Sequence, residues 1–244
     1  MVVDAAGTLR PTMDGPDVDA LASQLEELVE LVTSLPDRDF ERPTRCPGWS
    51  VAELVAHCEG ILVRLVGENA APVDGPARTD RVGYYRYDPN GPRDDDLSDR
   101  TFSEIVRDRV VDEAAGRPPG ELRAGLEGAV RSALAGVATI PAGRVIHRSG
   151  HPPMAYGEFV ASRNVELVVH TMDLADAVGR PERAAPAALA VVTGILDRLL
   201  GSPRPPDLGW DPTAYVLTAT GRRPLTDPDR AMLGPLAARF PLLA

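Results

Sequence analysis

Four histidines are the whole imidazole supply of this chain, so each can be weighed for metal or acid–base chemistry. Glu166 and His170 stand four apart inside a strongly helical pattern, Tyr156 to Val178. Positions four apart share a helix face with Cβ atoms ~5–6 Å apart, and bonds of ~2.0–2.2 Å let carboxylate oxygen and imidazole nitrogen reach one ion. Arg163 and Asp173 lie on the same face, which continues through Phe159 and Ala177. A polar strip therefore enters an otherwise apolar interior, where it is costly without a compensating ligand. His57 sits on a second inward stripe with Leu54, Ile61 and Leu65. Each of these alone reads as a satisfied core residue or a solvated helix contact. Together they supply three ligands from facing helices, the way bundle cores build metal sites, and three protein ligands leave positions open for chemistry.

The remaining candidates are weaker. His147 and His151 are also four apart, but Gly150 and the prolines after His151 deny them a helical face, so they read as loop residues near the surface or the rim of a site. Cys58 points about 100° away from His57 around its helix and reads as a core hydrophobe. Cys46 and Trp49, at the entry to that helix, read as structural. With two cysteines in all no four-thiolate site can form, so a metal must rely on histidine and carboxylate.

The elements that must position these residues follow from periodicity. Apolar spacing predicts a first helix over Ala20 to Leu35, stopped by Pro36, and a second from Val51 to about Val66, where Ser50 and Glu53 are spaced for a capping box. Further helices are expected over Thr101 to Ala115, Glu121 to Val137, Tyr156 to Val178, Pro186 to Leu200 and Asp227 to Phe240, with a strand-like run at Ala214 to Ala219. Glu68 to Arg100 is long, aperiodic and holds Tyr84, Tyr85 and Tyr87. Loops of that length are commonly functional or mobile, and this one is expected to be a flap over the site, with Tyr85 beside a bound cofactor. The fold class is mainly α: a four-helix bundle over residues 15–180, and a short mixed α/β C-terminal extension over 181–244.

Composition closes off other chemistry. All 26 basic residues are arginine, so Schiff-base catalysis and lysine-bearing phosphate loops are excluded. A net charge of −10 repels a phosphate backbone, and nucleic-acid binding is not expected. The longest apolar stretch, near Leu189 to Leu200, is interrupted by Asp197 and Arg198, and no apolar leader opens the chain. The expectation is a cytoplasmic protein without membrane contact, monomer or homodimer.

The runs TRCPGWSVAELVAHCEG (Thr44 to Gly60) and RNVELVVHTMDLADAVG (Arg163 to Gly179) resemble the mycothiol-dependent maleylpyruvate isomerase family within the DinB-like superfamily, and the resemblance covers most of Ala20 to Arg180. It implies a divalent metal, typically zinc, held by a histidine of the first motif and a Glu and His four apart in the second. These fall on His57, Glu166 and His170. It also implies mycothiol as thiol cofactor or cosubstrate and a small electrophile as partner. Asp173 matches the family's aspartate after the histidine, as an orienter of that ring or a helix-packing partner. Arg163 and Arg222 are candidates to hold a carboxylate of substrate or thiol, whereas Arg223 reads as a surface ion pair. The family's isomerases carry a sizeable α/β domain after the bundle, larger than residues 181–244. The expected activity is therefore thiol S-transfer, with maleylpyruvate-type cis–trans isomerisation as the alternative, and metal-dependent hydrolysis or non-catalytic ligand binding after that.

Overall fold

The computed structural model describes residues 2–3, 9–10, 15–86, 102–147 and 151–243. Two short strands, β1 (Val2–Val3) and β2 (Leu9–Arg10), pair antiparallel ahead of α1 (Pro16–Thr33). Then come α2 (Val51–Val66), α3 (Arg81–Arg86), α4 (Phe102–Ala114) and α5 (Pro119–Val137). A small antiparallel pair, β3 (Val145–Ile146) and β4 (Met154–Ala155), leads directly into α6 (Tyr156–Ala177). The chain continues through α7 (Pro186–Leu200), α8 (Pro212–Ala219) and α9 (Asp227–Leu233).

Helices α1, α5, α2 and α6 close a ring in which each packs on the next, α2 most extensively on α5 and α1 on α6. That ring is the four-helix bundle the apolar stripes call for. Its core holds Leu21, Leu25, Leu28, Leu54, Leu62, Leu122, Leu126 and Phe159, all essentially without solvent exposure. Close approach of α2 and α5 requires Gly136, where a Cβ would meet Val66 Cγ1 at 2.6 Å. A second apolar cluster, with Val168, Met172, Val192, Leu196, Tyr215 and Val216, seats α7 against α1 and α6, with α8 packed on α7. Buried Gln24 joins the two halves: its amide nitrogen donates to Thr171 Oγ1 (2.9 Å) and its carbonyl accepts from the Ala185 amide (3.0 Å). No described helix is long and apolar enough to cross a membrane.

Three expectations need correction. The run Ala214 to Ala219 is helix, because Asp211 caps the Ala214 amide (2.7 Å) and Pro212 takes the first turn; β-branched and aromatic composition yields to that start signal. Among the described residues, 181–244 therefore holds helices and 3-10 turns rather than a mixed α/β layer. Nor is the described part of Glu68 to Arg100 a loose flap. Its backbone bonds to Val145 and Pro153, α3 forms within it, Tyr84 is buried, and the Tyr85 hydroxyl donates to Ser162 O (2.7 Å). Tyr87 lies outside the described residues. The last helix is also shorter than expected: Gly234, at φ +53°, ends it and a 3-10 turn follows.

Candidate metal centre

The site is built where the start of α2 faces the middle of α6. Ser50 and Glu53 form the full capping box, with the Ser50 amide donating to Glu53 Oε2 (2.5 Å) and the Glu53 amide to Ser50 Oγ (3.5 Å), which places His57 two turns into the helix. The preceding loop is held by Thr44 N to Trp49 O (2.9 Å), Trp49 N to Cys46 O (3.0 Å) and Val51 N to Arg42 O (2.9 Å). It turns at Gly48, whose φ of +82° is left-handed backbone that suits glycine. Arg45, Cys46 and Trp49 are thereby set against α6.

His57, Glu166 and His170 each offer a ligand atom, all within 4.8 Å of one another. The two imidazoles meet edge to face with centroids 4.9 Å apart, and both are 8% exposed. Glu166 Oε2 lies 3.6 Å from His170 Nε2, too far for a hydrogen bond. One tetrahedral ion with bonds of ~2.0–2.2 Å sets its ligand atoms about 3.3–3.6 Å apart. His57 Nδ1 is buried with no hydrogen-bond partner among the described residues. A buried imidazole nitrogen without a partner, beside a carboxylate that stops short of its neighbour, makes a donor set that suits a divalent cation.

Electrostatics prepares the donors differently. Burial, then the neighbouring His170, pushes the His57 pKa well below the ordinary imidazole value, so its lone pair is available at neutral pH. Burial also opposes charge on His170, but Asp173, Cys46 and Glu166 outweigh it and hold its pKa well above the usual value. Burial alone would raise Glu166, yet His170 and Arg163 keep it ionised, below the usual carboxylate range. His170 Nδ1 donates to Asp173 Oδ2 (3.1 Å), which directs Nε2 toward Glu166 and His57. Asp173 is fully buried and is itself held by Arg45 Nε (2.6 Å), Arg222 Nε and Nη2 (3.1 and 3.0 Å) and the Cys46 thiol (3.3 Å). Cys46, His170 and Asp173 form a second group with ligand atoms close enough for a divalent ion. Two guanidiniums already neutralise that carboxylate, which disfavours a cation beside it relative to the His57 group.

The triad opens on a cavity of about 670 Å³. Trp49, Ile61, Phe159 and Val169 form apolar wall, and Arg163, Tyr85, Arg222 and His151 also line it. Of the other residues singled out from sequence, Arg223 faces Asp229 (3.7 Å) and Cys58 is a buried hydrophobe whose thiol burial pushes up to about 12. His147 is exposed, whereas His151 is buried and stacks on Tyr84 at 4.4 Å, so the two do not meet as a pair. Cys46 and Trp49 do more than shape a turn: the thiol touches Asp173 and the indole lies 4.8 Å from His57. Sequence reasoning missed Arg45, which sits in a loop without periodicity; the only available signal was its place inside the first motif.

The family of the mycothiol maleylpyruvate isomerase N-terminal domain matches residues 21–175. Among solved structures, a mycothiol-dependent maleylpyruvate isomerase superposes with a TM-score of 0.51 at 12% identity, over 78% of this chain and 72% of its own. A histidine-to-alanine variant of a mycothiol-dependent maleylpyruvate isomerase gives 0.51 at 11% over the same shares. At such identity the likeness is one of fold. No curated protein matches the chain.

Proposed function

We propose that this chain, which belongs to the mycothiol maleylpyruvate isomerase N-terminal domain family, is a metal- and thiol-dependent enzyme acting on a small electrophile, with cis–trans isomerisation as its reaction. The observation that carries the reading is the convergence of His57, Glu166 and His170 on one cavity, with His57 Nδ1 left without a partner. Two imidazoles and a carboxylate suit zinc. A bound ion there supplies the Lewis acidity that brings a thiol, ~8.5 when free, to thiolate at neutral pH.

The chain's own residues do the rest. His57 would offer a neutral nitrogen, while Asp173, clamped by Arg45 and Arg222, keeps the His170 ring turned so that Nε2 lies toward Glu166, where an ion would be held. Trp49, Ile61, Phe159 and Val169 keep bulk water from the reacting atoms, and Tyr85 walls the space where mycothiol, the thiol of the family's description, would lie. When bound, the thiol would supply a nucleophile that adds reversibly to a conjugated cis double bond, so that rotation about the resulting single bond and release of the same thiolate would give the trans isomer. No thiol is consumed.

The experiment is to incubate metal-loaded protein with mycothiol and maleylpyruvate and follow the olefinic protons by NMR. The expected result is the trans isomer with thiol recovered in full. Stoichiometric S-conjugate would replace isomerisation by thiol transfer, and metal-dependent hydrolysis indifferent to thiol would overturn the reading.

A further inference from the structure

Asp173 receives more positive charge than one carboxylate can balance. It is buried in α6, and two guanidiniums end on it: Arg45 Nε at Oδ1 (2.6 Å), and Arg222 Nε and Nη2 across both oxygens (3.1 and 3.0 Å). Asp173 offsets one of them. The other is a surplus cation behind the His170 ring, which Asp173 holds at Nδ1 (3.1 Å). Carboxylate and ring are both buried, so that surplus is weakly screened and opposes any second cation at the triad.

Glu182 takes up the surplus. Its Oε1 lies 2.6 Å from Arg45 Nη1, so that one guanidinium joins the two carboxylates. The pair is only about a quarter exposed, 23% for Arg45 and 26% for Glu182, which spares it much of the screening that empties surface ion pairs of their value. Glu182 stands in the link between α6 and α7, and that link is pinned to α1 from both sides. Gly179 turns the chain at φ +70°, Arg180 Nη1 donates to Ser34 Oγ (2.6 Å) just past the end of α1, and the Ala185 amide donates to Gln24 Oε1 (3.0 Å). An acid on so fixed a link loses little further freedom in holding its partner. The contact also fastens the loop that carries Trp49 to 4.8 Å from His57, so it bears on the supports of both imidazoles. Glu182 lies beyond residues 21–175, the segment shared with the family.

We infer that Glu182 is a positioning residue for the metal centre: acting through Arg45, it cancels the surplus charge on Asp173 and fixes the loop, so that His57 and His170 meet a cation against a neutral background. The inference rests on the proposed reading of the triad as a metal site.

The probe is cobalt, competed against a chelator and followed by its visible absorption on the full chain. Glu182→Gln, which removes the charge and keeps the shape, should weaken cobalt by about threefold to tenfold, short of the ~10–100-fold for a direct outer partner of a ligand. Glu182→Asp, which keeps the charge, should recover most of that loss. The sharpest arm is the double variant. In Arg45→Met protein, Arg222 and Asp173 already balance and Glu182 faces water, so adding Glu182→Gln should change cobalt affinity by no more than about twofold. Equal affinity for Glu182→Gln and wild type overturns the inference, as does the same loss in the Arg45→Met background, or Glu182→Asp as weak as Glu182→Gln. An acid that served only the fold would instead lower the melting midpoint of metal-free Glu182→Gln and leave cobalt affinity intact, which also overturns it. Absence of cobalt binding by the wild type overturns the reading of the triad and this inference with it, whereas the other failures leave the triad standing.

Discussion

Two arginines anchored to α6 show what separates the scaffold of this molecule from its cavity. Arg81, at the start of α3, is saturated: Nη1 and Nη2 donate to Asp17 (2.9 and 2.7 Å), and Nε and Nη2 to Glu158 (2.8 and 2.9 Å). It ties α1, α3 and α6 together. Arg163 is more deeply buried, forms no close ion pair among the described residues, and is balanced only at longer range by Glu166. The same contrast runs through the surrounding groups. On the clamp side the charges are matched, whereas in the cavity His57 Nδ1 and Trp49 Nε1 are buried without a hydrogen-bond partner among the described residues. Matched charge on Arg81 holds three helices in place.

The largest separation between the two regions is expected in metal uptake. His57→Ala and His170→Ala each remove one donor of three and should lower affinity for zinc by at least ~100-fold, more than loss of an outer partner costs, while the protein stays folded. Arg81→Met should leave stoichiometry at one ion per chain. Elemental analysis after dialysis against a weak chelator measures both. Full occupancy in both histidine variants would erase the distinction at its source.

Asp173 belongs to both regions, being paired like the clamp and touching the triad through His170 Nδ1. Asp173→Asn should cost about 10–100-fold in metal affinity, the usual effect of losing a carboxylate that orients a ligating histidine. Arg45→Met should cost less, since Arg222 still holds the carboxylate. Chelator competition with cobalt-substituted protein reads the series. Equal affinity for Asp173→Asn and wild type would reduce Asp173 to helix packing.

How much of this was legible in sequence depended on periodicity. His57, Glu166 and His170 could be brought together because each lies in a regular helix, where spacing dictates a face; α2 even carries its start signal in Ser50 and Glu53. Arg45 and Cys46 could not be placed, because they sit in an aperiodic loop whose path is set by Gly48 and three backbone bonds. Tyr84 and Tyr85 looked like a flap since α3, at Arg81–Arg86, is too short to leave a pattern. Its position is fixed by the Arg81 clamp, a contact between residues 64 and 77 positions apart. Ala214 to Ala219 misled for the opposite reason: composition suggested a strand, and the Asp211 cap decided for helix.

Arg81→Met should destabilise the fold by about 1–3 kcal/mol, the range for charge-assisted pairs that are partly screened, measured by urea denaturation of metal-free protein. Arg163→Met should cost less, since it forms no close ion pair among the described residues, and similar losses in both would dissolve the contrast between a saturated clamp and a cavity-lining cation.

The smallest effect concerns pH, where the two regions should respond with opposite sign. Glu158 is drawn below the ordinary carboxylate range, chiefly by its hydrogen bonds from Arg81 against the opposing effect of burial. A depressed acid contributes its stability above its unfolded value, ~4.3, and loses it as pH falls through the folded one. The stability gap between wild type and Glu158→Gln should therefore be flat from pH 7 to about 5 and close below pH ~4; at this exposure it should be about 0.5–1 kcal/mol. His170 in metal-free protein is the mirror case. Its pKa is raised against burial, by Asp173 first among its partners, so its contact contributes fully below the unfolded value of ~6.5 and fades as pH rises through the folded one. The gap between wild type and His170→Gln should thus widen as pH falls from the raised folded value toward ~6.5 and level off below it, a window in which the Glu158 gap does not change. Zinc displaces the proton from His170 and should abolish that slope while leaving the Glu158 gap untouched. Parallel slopes for the two variants, or a Glu158 gap that zinc removes, would mean that clamp and cavity titrate as one unit.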